Sequence, residues 1–167
     1  KELILVRHAQ AKETEPGQKD YDRMLTASGM RDASLVGRHF FKSDVTLHHI
    51  VASPAERSKS TTLLMSEQMK FPLARISYKE NIYEASVRNL LGVVNEFNED
   101  FAKVMLVGHN PAISYLAEYL CGGEVGSLEP CGVTILLFKN LQWSEVSQGS
   151  AELREIFTPA KLREIYT

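Results

Sequence analysis

The sequence predicts an α/β fold, a three-layer α/β/α sandwich around a mostly parallel central sheet. Two observations carry that expectation. Short apolar runs at residues 3–6 and 104–107 read as strands buried on both faces. They alternate with longer segments of helical periodicity, the pattern of a sheet covered by helices on either side. Length adds a third: 167 residues suit one compact domain, residues 1–167, with a substantial core and no interdomain linker.

The elements follow in order. Leu3, Ile4, Leu5 and Val6 form the first strand, and residues 9–25, polar and containing Pro16-Gly17, form a long loop over its end. Thr26 caps a helix to about residue 42, with Met30, Ala33, Val36, Gly37 and Phe40 on its inner face. Residues 50–52 are a short strand. In Ser53-Pro54-Ala55-Glu56, serine stands at an N-cap, proline at the first helical position and glutamate at the third. That capping box opens a helix to about residue 69, with Thr62, Leu63, Met65 and Ser66 inward or along its flank. Residues 76–78 read as a strand, and Ser86 caps a helix from 87 to about 98. Strand 104–107 leads through Gly108-His109-Asn110 into a helix from Pro111 to about residue 120. After Gly122-Gly123, residues 132–138 and 151–157 read as strands with Trp143 between them, and Pro159 opens a short terminal helix.

Composition excludes several function classes. The formal net charge is -2 and the basic residues are scattered, which argues against nucleic-acid binding and against a membrane surface as partner. No apolar segment reaches transmembrane length, and no secretory signal precedes the first strand. A cytoplasmic protein is expected, although the chain begins at Lys1 without methionine and a removed leader stays open. Cys121 and Cys131 are too few for a disulfide scaffold and are expected to be reduced bystanders.

Chemistry gathers where strands end. The first strand delivers Arg7-His8, the second leads through Ser53-Pro54 to Arg57, and strand 104–107 delivers His109. Open α/β sheets bind ligands at the C-terminal edge of their strands. Two arginines and two histidines there make a cationic pocket if those strands are neighbours. Guanidinium forks grip phosphate oxygens bidentately, and an unprotonated imidazole can attack phosphorus. Singly, each residue also has a plain structural reading. Arg7 can pair with a surface carboxylate, and His8 and His109 can be satisfied loop histidines. Asn110 is first of all an N-cap ahead of Pro111, with its side chain free to face a ligand. Arg57 lies in the first turn of its helix, where the macrodipole disfavours a cation, so a local anion is expected beside it.

Taken together these segments resemble the histidine phosphatase superfamily. Leu5-Val6-Arg7-His8-Ala9 is similar to its hallmark after the first strand, residues 53–61 to its second phosphate-binding segment, and residues 107–111 to its second histidine motif. Asp22-Arg23-Met24-Leu25-Thr26 with Gly29, Ile82-Tyr83-Glu84-Ala85-Ser86, Trp143 and Phe157-Thr158-Pro159 are similar to the SixA-like branch of phosphohistidine phosphatases. The resemblance implies a phosphoglycerate-mutase-like fold and the strand order that joins the three strand ends. It implies His8 as nucleophile, with Arg7, Arg57 and His109 holding the phosphoryl group, Arg23 adding a further contact, and no metal or other cofactor. The general acid it implies falls on Glu84, with Glu80 a close competitor.

The expected activity is a metal-independent phosphatase acting on phosphohistidine in a signalling or phosphotransfer protein. The alternatives are a phosphatase of small phosphomonoesters and a non-catalytic phosphate-binding module. Imidazole is a far better leaving group than an alkoxide, so an ill-defined acid suits phosphohistidine. The intervals from His8 to Thr26 and from Arg57 to Val104 are short and leave little chain for a lid.

Overall fold

The computed structural model describes residues 1–167. In chain order its elements are β1 (Glu2–Arg7), α1 (Ala27–Lys42), β2 (His49–Ala52), α2 (Glu56–Met69), β3 (Ile76–Tyr78), α3 (Val87–Asn95), β4 (Lys103–Gly108), α4 (Ala112–Cys121), β5 (Val133–Leu137), β6 (Glu152–Phe157) and α5 (Pro159–Ile165). The strands form one six-stranded sheet in the order β3-β2-β4-β1-β5-β6. β3, β2, β4 and β1 run parallel to one another, whereas β5 pairs antiparallel with both β1 and β6.

Side-chain alternation along the central strands decides the layers. Leu3 and Leu5 of β1, with Val104 and Leu106 of β4, face a cluster that includes Leu90, Val93, Ile113, Leu116 and Trp143. Ile4, Val6, Met105 and Val107 point the other way, toward Ala33, Val36, Phe40, Met65 and Leu162. α3 and α4 therefore cover one face, and α1, α2 and α5 the other, as the period of two in strands requires. Each such fully buried aliphatic side chain contributes ~1.5–3 kcal/mol relative to exposure. Trp143 is fully buried, rests edge-on against Phe97 with ring centroids 5.2 Å apart, and donates its Nε1–H to the Phe101 carbonyl at 2.8 Å. No helix is long and apolar enough to cross a membrane, and both cysteines are free thiols.

Several local expectations are corrected. Met30 points outward and is 41% exposed, because the buried stripe of α1 runs through Gly29, Ala33, Val36, Gly37 and Phe40. A Cβ on Gly29 would meet the Gln10 carbonyl oxygen at 2.3 Å, so the loop of residues 9–25 lies directly on this glycine. Leu63 of α2 is likewise exposed, while Thr62, Met65 and Ser66 are buried. The Ser53 capping box does not form. α2 begins at Glu56, Ala55 precedes it without a side-chain cap, and Ser53 Oγ accepts the Ala55 N–H at 3.2 Å. α3 keeps its Ser86 cap, reciprocated by Asn89, but ends at Asn95 rather than near 98. α4 begins at Ala112 behind Pro111.

Candidate active site

Because β2, β4 and β1 are neighbours, their C-terminal ends deliver Ser53, His109 and His8 side by side. The parallel ladder runs one residue past the strands: the His8 N–H donates to the Gly108 carbonyl at 3.0 Å, and the Ser53 N–H to that of Val107 at 3.1 Å. α2 is tied to the same edge. The Ala9 N–H donates to Thr61 Oγ1 at 2.9 Å, and the Thr61 hydroxyl donates to the Arg57 carbonyl at 2.7 Å. Arg7, His8, Gln10, Ala11, Glu13, Arg23, Arg57, His109, Asn110 and Pro130 line a cleft of about 330 Å³ above these ends.

His8 is only 8% exposed. Its Nδ1 lies 2.7 Å from the Ala9 carbonyl oxygen. A carbonyl only accepts, so Nδ1 carries the ring hydrogen and Nε2 presents a lone pair. Nε2 accepts from Arg57 Nε at 3.3 Å. Burial, chiefly, lowers the His8 pKa to about 4; the Ala9 carbonyl acts upward, and Arg57, Arg7 and Arg23 push further down. The ring is therefore neutral at ordinary pH. His109 stands beside it, ring centroids 5.1 Å apart, and is lowered to about 3 by burial first, then by His8 and Arg57. Its Nε2 meets Ser53 Oγ at 2.7 Å, and its buried Nδ1 has no hydrogen-bond partner in the protein. This contact explains the missing cap: Ser53 is drawn to His109 across the strand ends.

The cations are held firmly. Arg7 Nη1 donates to the Leu128 carbonyl at 2.8 Å, while its buried Nε is unpaired within the protein. Burial lowers the Arg7 pKa, and Glu129 opposes that. Arg57, nearly fully buried, donates through Nη1 to the Asp20 carbonyl at 2.7 Å and through Nη2 to Asp20 Oδ2 at 3.0 Å. Arg23 Nε donates to Asp20 Oδ1 at 2.9 Å, and the Tyr83 hydroxyl donates to Oδ2 at 2.7 Å. Burial acts to raise the Asp20 pKa, but these bonds from Tyr83, Arg57 and Arg23 hold it at about 2. The anion expected beside Arg57 is thus Asp20, a residue that sequence reasoning did not single out. Tyr83, raised to about 12 by burial, its bond to Asp20 and that charge, packs edge-on against His109 with centroids 5.5 Å apart.

Arg7, His8, Arg23, Arg57, His109 and Asn110 are brought together. Glu84 is not. It is exposed, sits in the left-handed region at φ 52 and does not line the cleft. Glu80 is also exposed and accepts from the Tyr21 hydroxyl at 3.2 Å. Asn110 does not cap α4. Its Nδ2 donates to Ser127 Oγ and to the Leu128 carbonyl, both at 3.0 Å, and its Oδ1 accepts from Ser114 Oγ at 2.6 Å. With its polar atoms committed, Asn110 fixes the loop whose Leu128 carbonyl also holds Arg7. Nothing in the sequence marks Asp20 or Glu13, because each lies within a polar loop whose spacing carries no periodic signal. Ser53 meets His109 instead of capping α2.

The model of the histidine phosphatase superfamily (branch 1) matches residues 3–103, a span that takes in Arg7, His8 and Arg57 and stops short of His109. Phosphohistidine phosphatase SixA of Escherichia coli is 25% identical over 128 residues, covering 74% of this chain and 76% of its own. An uncharacterized protein of Mycobacterium tuberculosis is 27% identical over 164 residues, covering 92% of this chain and 99% of its own. Among solved structures, the protein histidine phosphatase SixA complexed with tungstate superposes with a TM-score of 0.84 at 19% identity, covering 97% of this chain and 99% of that one. The three-layer sandwich is accordingly the phosphoglycerate-mutase-like fold of these neighbours. Sheet order, strand-end chemistry and the family match converge: the chain belongs to the histidine phosphatase superfamily.

Proposed function

We propose that this protein is a metal-independent phosphatase that removes phosphate from phosphohistidine in a signalling or phosphotransfer protein. The observation that carries the reading is the tautomer of His8: with Nδ1–H bound to the Ala9 carbonyl, Nε2 is an unprotonated nucleophile on the floor of a cleft lined by three arginines. In the first step a bond forms between His8 Nε2 and phosphorus while the donor's P–N bond breaks, and the substrate imidazole, protonated beforehand on its other ring nitrogen, leaves neutral. In the second, water attacks phosphorus, releasing inorganic phosphate and restoring His8. Arg57 moves its Nε from the His8 lone pair to a phosphoryl oxygen, and Arg7 and Arg23 add positive field where charge develops. Ser53 accepts the Ala55 N–H and has its own hydrogen free for His109 Nε2, which leaves Nδ1 to carry the ring proton toward an incoming oxygen.

The substrate class is supported from the acid side. Asp20, the carboxylate that the arginines hold, stays ionised down to a pH of about 2 and is ill suited to protonate an alkoxide. A leaving imidazole demands less of an acid. The similarity to Escherichia coli phosphohistidine phosphatase SixA points the same way.

Brief reaction with a phosphohistidine peptide, followed by denaturation, should trap an acid-labile phosphoenzyme that is absent in His8→Ala. Label surviving that substitution refutes His8 as nucleophile. His109→Ala should stay folded while kcat drops about 10²–10³-fold, the usual loss for a donor acting in the transition state. A strong preference for sugar phosphates over the phosphohistidine peptide would favour a small-phosphomonoester phosphatase. Binding of phosphate without turnover of either would favour a non-catalytic module.

A further inference from the structure

Three concavities on one side of the molecule are joined. The catalytic cleft shares Gln10 and Pro130 with a neighbouring trough of about 460 Å³, which in turn shares Asp32 and Arg163 with a groove of about 660 Å³ between α1 and α5. Arg31, Leu35, Arg38 and Lys42, spaced to share one face of α1, line that groove opposite Arg163 and Tyr166 of the C-terminal segment.

The charge there runs against the rest of the chain. The protein as a whole carries a formal charge of -2, yet this groove presents Arg31, Arg38, Lys42 and Arg163 against one acidic side chain, Asp32. Arg163 is paired with Asp32, and Lys42 Nζ lies 4.5 Å from the Tyr166 ring centroid. Arg31 and Arg38 are exposed and pair with no carboxylate within 4.0 Å. Of the two acidic groups along the connecting trough, Asp32 is offset by Arg163, and Glu129 lies close enough to act on Arg7. Nothing in the proposed chemistry uses these cations.

We propose that the groove between α1 and α5 docks an acidic stretch flanking the phosphohistidine of a protein substrate. The stretch lies along the trough while the phosphoryl group enters the catalytic cleft. This rests on the phosphohistidine reading and adds to it the kind of protein that is selected. Such charge complementarity acts mainly on encounter and partner choice.

The test uses two synthetic peptides. In one, phosphohistidine is flanked by a tract of Asp and Glu; in the other, the same tract is Asn and Gln. At low salt kcat/KM for the acidic peptide should exceed that for the neutral one about tenfold, and added salt should shrink the difference. The triple variant Arg31→Glu, Arg38→Glu, Lys42→Glu should abolish it while kcat/KM for 4-nitrophenyl phosphate stays unchanged. The milder pair Arg31→Gln, Arg38→Gln, which only removes charge, should give an intermediate preference should the triple variant fold poorly. Equal turnover of the two peptides by the unaltered protein overturns the proposal, and so does a preference that survives both variants. Turnover of the aryl phosphate but of neither peptide refutes the phosphohistidine reading and this inference with it. Displacement of the acidic peptide by a lower concentration of single-stranded oligonucleotide would assign the groove to nucleic acid instead.

Discussion

At the scale of single residues, Asp20 stands at the centre of the cationic site. It accepts from Arg57, Arg23 and Tyr83, so an internal carboxylate already engages two of the cations that a phosphoryl group would use. Neutralising it removes a negative charge beside the incoming dianion, while Arg57 keeps its bond to the Asp20 main-chain carbonyl. In Asp20→Asn, inorganic phosphate should therefore inhibit more tightly, by about two- to fivefold, the scale of one partly exposed ion pair. Weaker or unchanged product inhibition would show that Asp20 serves to position Arg57 instead. The same variant should lower the His109 pKa further, since Asp20 acts on it upward.

Elements were more legible than residues. Thr26 and Ser86 cap α1 and α3 as the sequence predicts, and each accepts the backbone N–H three positions on. Apolar runs alone located β1 and β4, because a strand buried on both faces leaves no other composition. Ser53 misled, since a local capping motif competed with a contact to His109 that only the neighbouring strand supplies. Glu84 misled for a related reason: it follows Tyr83, which does reach the site, but its backbone turns left-handed and carries its side chain outward. Helix packing has its own test at Gly37. A Cβ there would meet the Met65 carbonyl oxygen of α2 at 2.6 Å, so α1 and α2 must separate or bend. Gly37→Ala should cost about 1–3 kcal/mol of stability by overpacking, read as a lower thermal midpoint with the phosphatase activity of the folded fraction intact. An unchanged midpoint would mean that the two helices are free to shift apart.

At the scale of the whole molecule, the site sets how stability depends on pH. His8 and His109 titrate in the folded protein at about 4 and about 3, while an unfolded histidine titrates at ~6.5. As pH falls below ~6.5 the unfolded chain takes up protons that the folded one refuses, so stability declines, and the loss levels off only below the folded values. Asp20 adds to it later: its stabilising ionised form is lost between its ordinary value near 3.8 and its folded value of about 2. Denaturation midpoints should hold nearly level above about pH 7 and fall between ~6.5 and 4, and His8→Asn should flatten part of that slope. A profile level between pH 7 and 5 would contradict the buried, neutral histidines. The architecture itself was readable at this scale from alternation and length. The register that sets three strand ends abreast was not, because parallel pairing depends on contacts distant in sequence.

The bond from His8 Nδ1–H to the adjacent Ala9 carbonyl has one more chemical consequence. Histidine can carry phosphate on either ring nitrogen, and the two products are distinct isomers. Here one nitrogen is occupied by a neighbour one residue away, independent of any substrate. With His8 as the proposed nucleophile, any phosphate donor would therefore give the isomer phosphorylated on Nε2. The backbone selects which ring nitrogen is free before any ligand arrives.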